Sequence, residues 1–315
     1  MPGKMISLEH VTKKYGRVTA LKDVSLRAEK GKITGLLGRN GAGKTTALNL
    51  MTGFLAPTEG RVLVGGDDMR EKPLACRRRI GYLPERPPLY DEMTVKEYLG
   101  FVCDLREVLP RARKQHVAEI LELCALEECG DRLIGQLSKG FRQRTGIAQA
   151  LCGNPEILIL DEPTVGLDPK QVVETRELIR RLGEEHTILF SSHLLPEVQQ
   201  LCDRAVILHE GRVIRSFNLR EENKDTEIRL RIRAAGNAGA LVNAVRSLGC
   251  VRKAELLNET EPGTAEIRIT GRLQDDRGRM TDQVFRLAAA LDTPLRGMWP
   301  EKDDLETVFL EATGN

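Results

Sequence analysis

No run of about 18 apolar residues occurs anywhere in the 315-residue chain, so no membrane-spanning helix is expected of it. The opening segment MPGKMISLEHVTKKYG has no apolar core, so a secretory signal is not expected there. An excess of charge is also missing. Lys plus Arg, at 48, nearly cancels Asp plus Glu, at 46, so nothing points to bulk nucleic-acid binding. The seven cysteines include no C-x-x-C pair and are odd in number, so reduced thiols in a cytosolic setting are expected. Cys124 and Cys129 suit core or helix-face positions. His10, His116, His186 and His209 show no metal-ligand spacing and are expected to be structural. The basic cluster Arg77, Arg78 and Arg79 reads as a solvated face, with contact to acidic lipid or to a partner as the alternative.

What is present is enough apolar residue, 41%, to bury a core, and a length that suggests two domains. Strand and helix patterns alternate to about residue 215. Strands are expected over 5–11, 33–37, 61–64, 157–160, 187–191 and 205–208, and a helix over 44–51 that stops at Gly53. Such alternation implies an α/β layer fold around a largely parallel sheet. Residues from about 91 to 150 carry helical patterns, opened by a capping box of Thr94 and Glu97, and read as a helical subdomain inserted into that core. The charged run 221–225 reads as a linker between a domain at 1–220 and an accessory α+β domain at 226–315. The second domain has the order β-α-β-β-α-β plus a final helix, which suggests a ferredoxin-like fold.

The segment 38–46, GRNGAGKTT, fits G-x-x-x-x-G-K-[ST], with Gly38, Gly43, Lys44 and Thr45 at the fixed places. Glycines let the backbone turn its N–H groups inward, and the following helix offers its positive end to the same anion. Lys44 suits the β- and γ-phosphates, and the Thr45 hydroxyl suits Mg²⁺. Asn40, Gly41 and Thr46 belong to the same ATP-binding loop. The segment ILILDEP, 157–163, is an apolar strand carrying two carboxylates to its end. Asp161 is placed to hold Mg²⁺ through water, and Glu162 to activate the attacking water as general base.

Further motifs resemble the ATP-binding subunits of bacterial ABC transporters. LSKGFRQR, 137–144, looks like the family signature, usually LSGGQ. PTVGLDP, 163–169, resembles the loop after the catalytic Glu. His193 sits where the family keeps a switch histidine, and Tyr15 where an aromatic ring stacks on adenine. The ending DDLETVFLEATG resembles export ATPases of the drug, gliding-motility and nitrous-oxide-reductase-maturation types. The resemblance implies a P-loop NTPase fold and Mg²⁺-dependent ATP hydrolysis with Glu162 and His193 as catalytic residues. It also implies a homodimer in which Ser138 and Gly140 of one copy contact ATP held by the other. The power stroke is then ATP-driven dimer closure. The expected partner is a separately encoded permease, and the expected location is cytoplasmic, peripheral at the inner face of the cell membrane. A soluble ABC ATPase driving a non-transport conformational change is the alternative.

Two places depart from the family pattern. IGYLPERPPLY puts Glu85 where a Gln is usual, which adds a carboxylate beside the phosphates and points to coupling with a partner more than to chemistry. In the signature, Lys139 and Phe141 replace Gly and Gln, and Lys139 either adds a cation near the partner's ATP or faces solvent.

Overall fold

The computed structural model describes residues 4–220, 227–261, 263–272, 277–300 and 305–313. The chain divides into two compact units, residues 1–220 with 308–315, and residues 221–307. The charged run 221–225 lies outside the described residues.

The first unit is organised by a six-stranded sheet in the order Arg212–Asn218, Arg204–His209, Ile33–Leu37, Thr187–Ser192, Ile157–Asp161, Ile80–Leu83. Every neighbouring pair is parallel except the first. Ile33–Leu37, Thr187–Ser192 and Ile157–Asp161 are buried along their whole length. A parallel sheet is covered on both faces, which is why these strands read as unbroken apolar runs and not as alternation. Being adjacent and parallel, they release their chains at one common edge. The phosphate loop, the two carboxylates and His193 therefore emerge side by side, where open α/β sheets bind ligands.

A second sheet in this unit is antiparallel, in the order Val18–Glu29, Lys4–Tyr15, Glu59–Val64, Asp67–Asp68. The strand expected over 5–11 is thus longer and forms a hairpin with its successor, closed at Gly16, whose φ of 57° favours glycine. One apolar cluster joins both sheets through helix Lys44–Met51. Its Ala47, Leu48, Leu50 and Met51 pack with Leu8 and Val24 from one sheet and Ile157 and Leu189 from the other. An eight-residue helix is marginal by itself, so this packing is what fixes the end that follows the phosphate loop.

Helices Val95–Leu105, Pro110–Leu123 and Lys139–Leu151 fall between strands Ile80–Leu83 and Ile157–Asp161. The capping box at Thr94 is formed: its hydroxyl accepts from the Glu97 N–H, and the Glu97 carboxylate accepts from the Thr94 N–H. Cys124 and Cys129 are buried.

The second unit runs strand Glu227–Ala235, helix Ala238–Arg246, strands Val251–Glu261 and Thr264–Arg272, helix Arg277–Ala290 and strand Leu295–Pro300. Its antiparallel sheet places the first and third of these strands at the centre, the ferredoxin-like arrangement. Leu230, Ile232, Ile267 and Ile269 pack against Leu241, Val245, Met280 and Val284. A last helix spans Leu305–Thr313.

Candidate functional site

The phosphate loop leaves strand Ile33–Leu37 through Gly38, where a Cβ would lie 2.5 Å from the Leu208 carbonyl oxygen. Gly43 caps helix Lys44–Met51 with φ 105°, a conformation that disfavours any side chain. The loop borders an open cleft of about 590 Å³. Asn40, Gly41, Gly43, Lys44, Thr45 and Thr46 all line that cleft. Lys44 is only 6% exposed. Its Nζ donates to the Gly38 carbonyl at 2.7 Å and pairs with Glu162 Oε1 at 3.2 Å.

Glu162 stands at the centre of the polar network. Its other oxygen, Oε2, lies 2.9 Å from His193 Nδ1, which donates to it when that nitrogen carries the proton. Its backbone N–H donates to Ser191 Oγ at 2.9 Å. Its φ of 47° is left-handed, unusual for a residue with a side chain and held only where the surroundings impose it. The arrangement suits a general base: a carboxylate facing the cleft, oriented by an imidazole on one side and a lysine on the other.

Asp161 is almost wholly buried. Its Oδ1 accepts from Ser191 Oγ at 2.6 Å, while its Oδ2 is buried with no hydrogen-bond partner. Burial pushes its pKa above the ordinary carboxylate value. The hydroxyls of Ser191 and Thr45 pull it back, and repulsion from Glu162 and Glu85 adds to the rise. A buried carboxylate oxygen left without a partner, beside the Thr45 hydroxyl, suits a hard divalent cation. Among the described residues no group of three or more His, Cys, Asp or Glu is arranged to hold a metal ion.

The raised pKa has a measurable consequence. The folded protein holds the Asp161 proton more tightly than the unfolded chain, so ionisation costs stability as pH rises past the unfolded value of about 3.9. Asp161→Asn is therefore expected to raise the Tm of the nucleotide-free protein near pH 8 and to lose that advantage toward about pH 4. Thermal melts across that range check it; a shift independent of pH would refute it.

Glu85 lines the same cleft, so the carboxylate at that position faces the phosphate site itself. Tyr15 ends strand Lys4–Tyr15 with its ring about half exposed and Lys13 Nζ 5.1 Å from the ring centre. It lies three residues before Val18, which lines the cleft. Ser138 and Gly140 are not brought to the cleft of their own chain. Ser138 is exposed and caps helix Lys139–Leu151, accepting from the Phe141 N–H. A Cβ on Gly140 would lie 2.6 Å from the Gln171 side chain. Lys139 is folded back against Gly166 of the loop after Glu162. Sequence reasoning missed Ser191, whose hydroxyl ties Asp161 to the Glu162 backbone; its one signal was the Ser-Ser-His run at a strand end.

An ABC transporter family model matches residues 21–165. The bacitracin transport ATP-binding protein BcrA of Bacillus licheniformis is 37% identical over 225 residues, covering 70% of this chain and 72% of that protein. The linearmycin resistance ATP-binding protein LnrL of Bacillus subtilis (strain 168) is 31% identical over 315 residues, 98% of each. Among solved structures, the dimeric post-hydrolysis state of the ATP-binding cassette MJ0796, bound to ADP and Pi, superposes with a TM-score of 0.63 at 29% identity. That match covers 68% of this chain and 99% of that one.

Proposed function

The chain belongs to the ATP-binding subunits of ABC transporters and is an ATPase, and on that footing we propose that two copies close head to tail on two ATP molecules to power a separately encoded membrane exporter. The observation that carries this reading is the cleft in which Lys44, Glu162 and His193 meet beside Asp161. In each site Lys44 exchanges its contact with Glu162 for the β- and γ-phosphates. Glu162, freed on that side and still held by His193, takes the proton of the attacking water as the bond from the γ-phosphorus to its bridging oxygen breaks. Thr45 and Asp161 hold Mg²⁺, which supplies charge neutralisation to the phosphate oxygens when bound.

Ser138 and Gly140, exposed to the outside and buried at the start of their helix, suit the γ-phosphate bound to the other copy, at a helix N-terminus where anions are favoured. The dimeric form of the related cassette supports this pairing. Transport of bacitracin and resistance to linearmycin, named for the relatives, support export. No helix among the described residues is long and apolar enough to cross a membrane, which suits a chain docked at the inner face of a membrane on a separate permease. Phe54, 78% exposed beside a second cleft of about 420 Å³ with Arg77 and Arg106, is the surface we assign to that partner.

Complementation between two defective chains tests the shared site. Lys44→Met removes the phosphate cation. Ser138→Asp keeps a good helix cap but sets a negative charge against the incoming phosphate. Each alone is expected to be inactive. Mixed, they form dimers with one intact site, so ATP hydrolysis above the sum of the two alone is expected. A mixture no faster than that sum contradicts the pairing.

A further inference from the structure

The buried carboxylate of Glu197 belongs to no part of the site described so far, yet it joins the two segments that carry Glu162 and His193. Glu197 lies on helix Leu195–Leu201 and is 4% exposed. Its Oε1 accepts from the Thr164 hydroxyl at 2.6 Å, and its Oε2 accepts from the Ser192 hydroxyl at 2.7 Å. Ser192 Oγ in turn accepts from the Leu194 N–H at 3.0 Å. One carboxylate thus spans the loop two residues after Glu162 and the residues on either side of His193.

Stability alone does not account for it. A buried carboxylate carries a desolvation cost that an apolar side chain of similar size avoids, and both donors here are hydroxyls, not cations. The need it meets is geometric. Strands Ile157–Asp161 and Thr187–Ser192 are held in register by their ladder only up to the pair Asp161 and Ser191. Beyond that pair each chain departs, Glu162 at once into a left-handed φ of 47°. Glu162 Oε2 must nevertheless stay 2.9 Å from His193 Nδ1.

We propose that Glu197 is the positioning residue of this ATPase: it clamps Thr164 to Ser192 and so holds the base Glu162 and its orienting His193 at working distance. It does not touch the nucleotide cleft, so it acts on turnover and not on binding. The proposal rests on Glu162 being the base.

The test compares wild type, Glu162→Gln, Glu197→Ala and Glu197→Gln as full chains, with turnover expressed per ATP-binding site titrated by equilibrium binding. Misplacing reacting groups by about 1 Å costs on the order of a hundredfold in rate, so Glu197→Ala is expected to lose about 10–100-fold in kcat per site. ATP affinity is expected to stay within about twofold, because the phosphate contacts are untouched. Glu197→Gln still accepts one hydroxyl and offers an amide to the other, so it is expected to recover most of that loss. Adding His193→Ala supplies the readout that a purely structural role does not move. With its target gone, the clamp's removal is expected to cost much less in that background. Unchanged kcat per site in Glu197→Ala, or an equal loss with and without His193, overturns the clamp alone. A wild type no faster than Glu162→Gln overturns the base assignment and the clamp with it.

Discussion

Replacing Glu162 with Gln is expected to lower the ATPase rate by about 10²–10⁴-fold, the range that a positioned general base supplies. The substitution keeps the shape of the side chain and an oxygen for His193, now 2.9 Å from Oε2, but puts an amide where the carboxylate proposed to take the proton of water stood. ATP binding should survive and even tighten. In the resting site Lys44 pairs with Glu162 at 3.2 Å, and ATP has to win the lysine from that carboxylate. A neutral glutamine competes less well. Steady-state turnover with parallel ATP binding checks both halves: a variant that binds ATP like wild type and hydrolyses it at a comparable rate would remove Glu162 from the chemistry.

Lys44→Met is expected to be the more disruptive change, in two separable ways. It removes the ammonium in the cleft that we assign to the β- and γ-phosphates, so ATP affinity should collapse. It also leaves the Glu162 carboxylate, about 10% exposed, without its cation. Breaking a buried pair from one side costs about 3–5 kcal/mol, and the low end is expected here because His193 remains on the other oxygen. The double variant Lys44→Met with Glu162→Gln should regain most of that stability and none of the ATP affinity. Urea unfolding midpoints and equilibrium binding separate the two effects. A double variant as unstable as Lys44→Met alone would mean that the cost lies in packing and not in the stranded charge.

The parts of this site that were legible in the sequence are those encoded locally. Helix 44–51 was bounded correctly because Gly43 starts it and Gly53 follows its end, each with positive φ. The capping box at Thr94 and Glu97 is a contact three residues long. The central strands were visible because burial on both faces leaves no polar alternation. In the antiparallel sheet the strands at 5–11 and 61–64 were visible, while Val18–Glu29 was not, since it pairs with Lys4–Tyr15 through several register shifts that blur a period of two. Glu162's left-handed backbone follows from where the neighbouring strand ends, and no local pattern carries that. Glu197 was hidden for the same reason: nothing in its own neighbourhood says that Thr164, 33 residues away, arrives at its carboxylate. Glu85 was legible from its loop as a carboxylate beside the phosphates, and it lines that cleft.

The claim on which the rest depends is that the cleft at Lys44 is half of a site and that ATP joins two copies. The direct measurement is the mass in solution of the Glu162→Gln chain, which traps ATP unhydrolysed, with and without Mg²⁺ and ATP. The expected result is a 35.1 kDa species without nucleotide that doubles in mass when both are present. A chain that stays at 35.1 kDa while saturated with ATP would contradict the account.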